Sequence, residues 1–332
     1  MRYRELGKTG IEVSEVGFGL WTVSTGWWGK FTDEQAVAMI RKGFDLGITL
    51  FDSADAYGDG RADKLLASAL KDKRNRIVIS TKFGYDFYNA PPRTGHQEGP
   101  QDFSPKFVRF ACEESLKRLA TDHIDIYQMH NPRLSTIQSD DLSALLEQLK
   151  AEGKIRSYGA ALGPAIGWKD EGLAFLARSS TGMMQIIHNL FEQDPGRAFL
   201  DAARRNGNGF LVRVPHSSGL LEGKYGEETT FSEDDHRSHR MKVNRDWLTY
   251  GLQKLEKVKF MYEGRGLTVG QVALKWLLAE PLIASTLPNM YNDEQLVEFT
   301  QASDKADLTG TDLAKLAELY SHNFYVQQPA TA

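Results

Sequence analysis

One cysteine in 332 residues leaves nothing for an internal disulfide framework to join. That residue, Cys112, falls within the helical apolar spacing of Phe107 to Leu119, so a buried structural thiol is expected there rather than a nucleophile. No apolar run approaches the roughly 18 residues a membrane span needs. The opening Met1-Arg2-Tyr3-Arg4-Glu5 lacks the apolar stretch of a secretory signal, and a cytoplasmic setting is expected. With 40 Lys and Arg against 44 Asp and Glu, the formal net charge is -4. There is no basic field to hold nucleic acid or an anionic membrane. Proline is sparse, at 11 residues, and no Pro/Ser-rich linker or low-complexity block divides the chain. Residues 1–332 therefore read as one domain whose expected partner is a small molecule. Its oligomeric state is not legible here.

What is present is alternation. A short hairpin, Arg2 to Glu5 against Glu12 to Ser14, turns at Gly7-Lys8-Thr9-Gly10. Thr32 with Gln35 reads as a helix N-cap, and Ala36, Met39, Ile40 and Phe44 follow at three-to-four spacing. From Ile48 onward, seven apolar strand runs alternate with helical patterns, and an eighth run, Val16–Leu20, precedes the first helix. Eight such units favour an α/β fold of the (β/α)8 TIM-barrel type, with the hairpin at its N-terminus. An extra helix, Thr311 to Tyr320, is left to cover part of the mouth. The segments Gly84–Ser104 and Pro215–Arg245 exceed plain connectors and are expected to carry binding or lid roles at the rim.

Four residues with acid–base capability close or follow successive strands: Asp52 and Tyr57, then Lys82, then His130. Polar groups at the carboxyl ends of parallel barrel strands converge on the rim where such folds do chemistry. A tyrosine has a free pKa of about 10, and a neighbouring ammonium favours its phenolate. Asp52 would orient Lys82, Tyr57 would donate a proton, and His130 would hydrogen-bond the reacting oxygen. Such a group suits a carbonyl receiving hydride, because negative charge develops on oxygen at that moment. Taken singly, each has a bland reading too: Asp52 as a cap, Tyr57 as a loop aromatic, Lys82 as a solvated strand end.

At these residues the chain resembles the aldo-keto reductase superfamily. Phe51-Asp52-Ser53-Ala54-Asp55-Ala56-Tyr57-Gly58 is similar to the family's aspartate–tyrosine signature. Ser80-Thr81-Lys82 resembles its lysine strand, Met129-His130-Asn131-Pro132 its histidine segment, and Gly153-Lys154-Ile155-Arg156 its lead into the fifth strand. The resemblance implies NAD(P)H-dependent reduction of an aldehyde or ketone, a sugar or cyclic ketone among them, or the reverse reaction. Tyr57 would be general acid/base, Lys82 and Asp52 its tuning pair, and His130 the substrate-orienting group. Trp21, Trp28, Tyr57, Tyr85, His130 and Asn131 would meet substrate. Read from the residues alone, Phe87 and Tyr88, beside Pro91-Pro92-Arg93, either add aromatic surface there or fold the loop onto itself.

The family binds its nicotinamide dinucleotide extended across the barrel mouth. Accordingly, Gly17-Phe18-Gly19-Leu20-Trp21-Thr22 lacks the third glycine of a dinucleotide fingerprint and is expected to open no helix. By resemblance Gly19, Trp21, Asp52 and Gln185 lie at the nicotinamide end, Gln185 on its carboxamide. Val214, Pro215, His216, Ser218 and Gly219 would wrap the pyrophosphate, with Asn289, Gln295 and Glu298 along the adenosine half. Three places depart from the family pattern. Ala161-Leu162 replaces the usual Ser-Asn pair, and Arg213 stands where an aromatic often stacks on the nicotinamide. A guanidinium beside a ring that becomes cationic on oxidation adds repulsion, so Arg213 is expected to favour the reduced cofactor. The third departure is Leu287 to Gln295, which has no base and two acids where a 2′-phosphate grip is expected. NADPH is the family expectation, and this segment keeps NADH in play. A compensating cluster stands in the long loop at His236, Arg237, His239, Arg240, Lys242 and Arg245, or else that loop is a solvated lid. Two histidines there, without a fixed third ligand, make no metal site.

Two other readings fit the same residues. Lys82 could be a Schiff-base nucleophile of a lyase, which requires the amine largely neutral. Alternatively, the chain could be a dinucleotide-binding regulatory subunit with little turnover, like the cytoplasmic subunits of potassium channels.

Overall fold

The chain opens on a hairpin, β1 (Tyr3–Glu5) antiparallel to β2 (Glu12–Ser14), with Gly7 and Gly10 at positive φ in its turn. Eight parallel strands follow in a computed structural model that describes residues 1–90, 98–163, 168–178, 182–243 and 246–326. They are β3 (Phe18–Gly19), β4 (Leu50–Asp52), β5 (Val78–Phe83), β6 (Ile124–His130), β7 (Ile155–Ala161), β8 (Met183–Ile187), β9 (Gly209–Arg213) and β10 (Ile283–Leu287). Each hydrogen-bonds its sequence neighbour in parallel register from β3 to β10. The ring closes beside β3, where Gly17 N–H donates to Thr286 O and Thr286 N–H to Glu15 O, both at 2.9 Å. The expected (β/α)8 barrel is thus the observed fold.

The helices are α1 (Trp21–Thr25), α2 (Asp33–Asp45), α3 (Arg61–Leu70), α4 (Pro105–Leu119), α5 (Leu134–Ile137), α6 (Asp140–Ala151) and α7 (Lys169–Arg178). They continue as α8 (Gly196–Ala203), α9 (His236–Val243), α10 (Asp246–Lys257), α11 (Val269–Leu278), α12 (Asp293–Ala302) and α13 (Gly310–Ser321). The Thr32–Gln35 capping box is formed, and Thr268–Gln271 makes another on α11. Cys112 is buried on α4, which pushes its thiol up to about 12, as a structural thiol requires. Four elements differ from the sequence reading. The five-residue α1 and four-residue α5 are too short for a periodic signal, and α9 lies inside the long segment that read as loop. Helix α10 ends at Lys257, and its expected last turn is the 3-10 turn Lys259–Met261. Helix α13 and Phe324 pack on the rim segments at Phe191 and Leu220.

The side-chain period of two sorts the barrel interior into layers. At the bottom, Leu50, Val78, Ile126, Met183 and Leu211 meet Leu6, Ile11 and Val13 of the hairpin, which plugs that end. One step up each strand the inward residues turn polar: Asp52, Ser80, Gln128, Gln185 and Arg213. The alternate residues, Phe51, Ile79, Tyr127 and Val212 among them, face the helices in the main core. The floor is therefore dry and the opposite, carboxyl end holds the polar groups.

Glu15 joins the hairpin to the barrel seam. It is 1% exposed and accepts from Arg2 Nε at 3.1 Å, Arg4 Nε at 2.7 Å and Ser303 Oγ at 2.9 Å. Glu15→Ala leaves Arg4 without its carboxylate and Arg2 with Asp307 alone. It should lower the free energy of unfolding in urea by about 2–3 kcal/mol. A loss within experimental error would show that the hairpin is held by its apolar contacts alone.

Candidate active site at the carboxyl rim

Three adjacent strands deliver the acid–base residues. Strand β4 ends on Asp52, β5 carries Lys82 one residue before its end, and β6 ends on His130. Lys82 Nζ lies 2.7 Å from Asp52 Oδ2 and donates also to Ser53 O at 2.7 Å. The second carboxylate oxygen, Oδ1, accepts from Ser80 Oγ at 2.9 Å, Gln185 Nε2 at 2.9 Å and Gln128 Nε2 at 3.3 Å. Asp52 and Lys82 are 4% and 1% exposed, so little water screens the pair. Burial acts against the Lys82 ammonium, but the Asp52 carboxylate outweighs it and the lysine pKa is raised. A lysine held charged in this way is a poor Schiff-base nucleophile.

Tyr57 and His130 stand over this pair. Lys82 Nζ is 5.0 Å from the centre of the Tyr57 ring, and the Tyr57 and His130 rings meet edge-on at 5.7 Å. Tyr57 is placed by a tight turn. At Gly58, φ is +58°, and a Cβ would fall 2.6 Å from Ser24 O, so glycine is required there. The Tyr85 ring lies 4.8 Å from that of His130. Asn131 Nδ2 donates to the Tyr85 hydroxyl at 2.6 Å, which itself donates to Glu98 at 2.8 Å. Tyr85, His130 and Asn131, expected together at the substrate end, are thus brought together. Phe87 and Tyr88 instead turn to Arg118, and Tyr88 packs on Phe107 and Phe110 of α4. Trp21 is half-buried and meets Trp27 and Trp28 edge-on at 6.2 and 6.0 Å. Trp28 is only 4% exposed, with the Arg237 guanidinium 4.4 Å over its ring, so it backs Trp21. Pro91, Pro92, Arg93 and Arg245 lie outside the described residues.

Arg213 ends β9 beneath this group. Its Nη2 donates to Leu162 O at 2.7 Å and Gly163 O at 2.8 Å. Burial lowers its pKa, with Tyr57 and then Asp52 resisting that shift. After it the backbone is strained: Val214, Ser217 and Ser218 have φ of 56°, 49° and 56°, and Gly219 follows at 97°. A β-branched residue in that region costs on the order of 1–3 kcal/mol, and such outliers gather at ligand clamps. Within this segment Ser217 N–H donates to Val214 O at 3.2 Å and Gly219 N–H to His216 O at 3.0 Å. The His216 side chain points elsewhere, Nε2 3.1 Å from Gly270 O and the ring 4.4 Å from Phe299. Burial pushes it down to about 4, so it brings no positive charge to a phosphate at neutral pH. Asn289 Oδ1 accepts from Thr22 Oγ1 at 3.1 Å, which sets it beside α1 near Trp21. Gln295 is fully buried, and the Glu298 side chain accepts from Thr268.

The basic cluster of the long loop is largely committed to acids. Arg237 grips Asp235 at 2.6 and 2.8 Å, and Arg240 pairs with Glu192 and donates to Ser218 Oγ at 2.9 Å. His236 stacks on Trp27 at 6.0 Å and lies 6.4 Å from His239. Among the described residues no group of three His, Cys, Asp or Glu is arranged to hold a metal. A second buried group escaped the sequence reading. Asp63 of α3 accepts from Ser53 Oγ at 2.7 Å and Arg118 Nε at 3.1 Å. Asp55 is fully buried, and burial, then the Asp63 charge, hold its carboxyl well above the usual range. The only hint of it was an acid inside the apolar spacing of α3.

The neutral buried His216 makes stability depend on pH. Its folded pKa is depressed, so its contribution is complete above the unfolded value of about 6.5 and is lost as pH falls toward 4. The full loss is on the order of 3 kcal/mol. Between pH 7 and 5, unfolding free energy should fall less in His216→Gln than in the wild type. Equal slopes would mean that His216 titrates as an exposed imidazole does.

Comparison with known proteins places these features. A model of the Aldo/keto reductase family matches residues 15–321. The chain is 32% identical over 284 residues to aldo-keto reductase YhdN of Bacillus subtilis, covering 85% of this chain and 82% of that one. It is 27% identical to the NADH-specific methylglyoxal reductase of Escherichia coli, over 96% of this chain and 99% of that one. Among solved structures, a glycerol dehydrogenase from Gluconobacter oxydans superposes with a TM-score of 0.82 at 25% identity, over 99% of this chain and 98% of that one.

Proposed function

This chain belongs to the Aldo/keto reductase family, and we propose that it reduces an aldehyde or ketone to the alcohol, or runs the reverse, with Tyr57 as proton donor and acceptor. One observation carries the reading. A buried ammonium, Lys82, is fixed by Asp52 beside the Tyr57 ring, with His130 edge-on to that ring, all at the open end of the barrel. When bound, a reduced nicotinamide dinucleotide supplies the hydride. The chain's residues supply the rest. The Tyr57 hydroxyl gives its proton to the carbonyl oxygen as that oxygen becomes negative. The Lys82 charge stabilises the oxygen left on Tyr57, and Asp52, held by Ser80, Gln128 and Gln185, keeps the lysine in place. His130, braced by Tyr85, orients the carbonyl.

Residues suited to hold the dinucleotide are Gln185 and Arg213 at the ring, the backbone of Val214 to Gly219 at the phosphates, and Asn289, Gln295 and Glu298 at the adenosine. The strained backbone at Val214, Ser217 and Ser218, of the kind that gathers at ligand clamps, supports the phosphate placement. NADPH is the usual family cofactor. The relative named as NADH-specific puts NADH beside it. The relatives' names point to small carbonyls and polyols as first substrates to try, and the Trp21 and Tyr85 rings add apolar walls.

Following nicotinamide absorbance with both cofactors across aldehydes, ketones, sugars and polyols tests the activity. Tyr57→Phe should lower kcat by roughly 10²- to 10⁴-fold while leaving dinucleotide affinity nearly unchanged. Retained turnover removes Tyr57 as proton donor, and tight binding without turnover of any carbonyl would favour a regulatory role. A guanidinium at the nicotinamide disfavours the oxidised ring, so Arg213→Ala should bring the dissociation constants of oxidised and reduced cofactor closer together. An unchanged ratio would place Arg213 away from the ring.

A further inference from the structure

Glu222 ends the 3-10 turn Leu220–Glu222, which directly follows Gly219, and it is 8% exposed. Its Oε2 accepts from the Tyr291 hydroxyl and from Gln295 Nε2, each at 2.7 Å. Its Oε1 is buried and has no hydrogen-bond partner. The carboxylate therefore stands between the strained segment Val214 to Gly219 and the N-terminal turn of α12, the two stretches set against the phosphates and the adenosine above. Burial raises the carboxyl to about 7, with the Tyr291 hydrogen bond and the charges of Lys224 and Arg237 drawing it back. Glu298 adds a second negative charge to the same surroundings.

Among the described residues, cations able to offset this charge are few. Arg237 spends its donors on Asp235 and the Tyr225 hydroxyl, and Arg240 on Glu192 and Ser218. Lys224 is exposed, with Nζ 6.0 Å from the Tyr291 ring centre. A buried carboxylate oxygen without a donor gains from a hydroxyl and is repelled by a phosphate. An acidic side chain at the ribose is also how other dinucleotide sites recognise a free 2′-hydroxyl.

Taking the dinucleotide reading of the preceding subsection as its premise, we infer that Glu222 selects the cofactor: its free oxygen accepts from the adenosine 2′-hydroxyl of NADH and excludes the 2′-phosphate of NADPH. Glu222 is a specificity residue and takes no part in hydride or proton transfer.

Titrating NADH and NADPH against tryptophan fluorescence, without substrate, reads affinity apart from turnover. Wild-type protein should bind NADH at least about tenfold tighter than NADPH. Glu222→Gln and Glu222→Thr should tighten NADPH several-fold and close most of that gap, and Lys224→Met should leave the preference in place. Equal or tighter NADPH binding by the wild type overturns the inference, as does an unchanged NADPH constant in both Glu222 variants. Selective weakening of NADPH by Lys224→Met would also overturn it, by revealing a phosphate grip. Binding of neither dinucleotide would instead remove the cofactor reading itself. The wild-type ratio needs no variant to fold, so a damaged Glu222 mutant cannot hide the answer.

Discussion

The 2.7 Å ion pair between Lys82 and Asp52 is the contact around which the rim is organised. Removing two charges from water costs several kcal/mol per ion unless hydrogen bonds complete the site. Here they do. Ser53 O takes a second lysine proton, and Ser80, Gln128 and Gln185 supply three donors to Asp52 Oδ1. Those residues come from β4, β5, β6 and β8, so the pair ties together strands from several positions around the ring. It sits one layer above the apolar floor formed by Leu50, Val78, Ile126, Met183 and Leu211. The Asp52 charge and the filled hydrogen bonds hold the lysine charged beside Tyr57 against the cost of that burial.

Around this fixed centre the rim is strained and heavily paired. Asn131 and Val214, just beyond β6 and β9, have left-handed backbone angles, and Ser217, Ser218 and Gly219 return to that conformation. The long segment after β9 brings arginines to the mouth, but Asp235 and Glu192 take their charge. The result, among the described residues, is a mouth with positive charge buried under Tyr57 and little free positive charge near Tyr291 and Gln295. That asymmetry links the chemistry proposed at one end with the cofactor choice inferred at the other.

Much of this was legible in the chain itself. The strand ends at Asp52, Lys82 and His130, the Thr32–Gln35 cap and the span of α4 each depend on residues a few positions apart, and all appear as expected. Helix α9 was hidden because its polar sequence shows no apolar stripe of its own. Glu222 was hidden because its partners, Tyr291 and Gln295, lie about seventy residues away. The Asp55–Asp63–Arg118 group was hidden for the same reason, and the role of Phe87 and Tyr88 stayed open because a loop aromatic does not announce which surface it will cover.

The amino-acid order alone determined the alternation of strand and helix, and with it which residues face the barrel interior, because those periods are properties of a few adjacent residues. It also determined the chemical types available at each strand end. Only the closed tertiary structure decided which distant groups share a dielectric environment: that Asp52 receives three further donors, that Arg237 and Arg240 are already paired, and that Glu222 lies against Gln295 with one oxygen unused. Charge and hydrogen bonding act through space, and the distances through space are set by the barrel's closure and by the path of its loops.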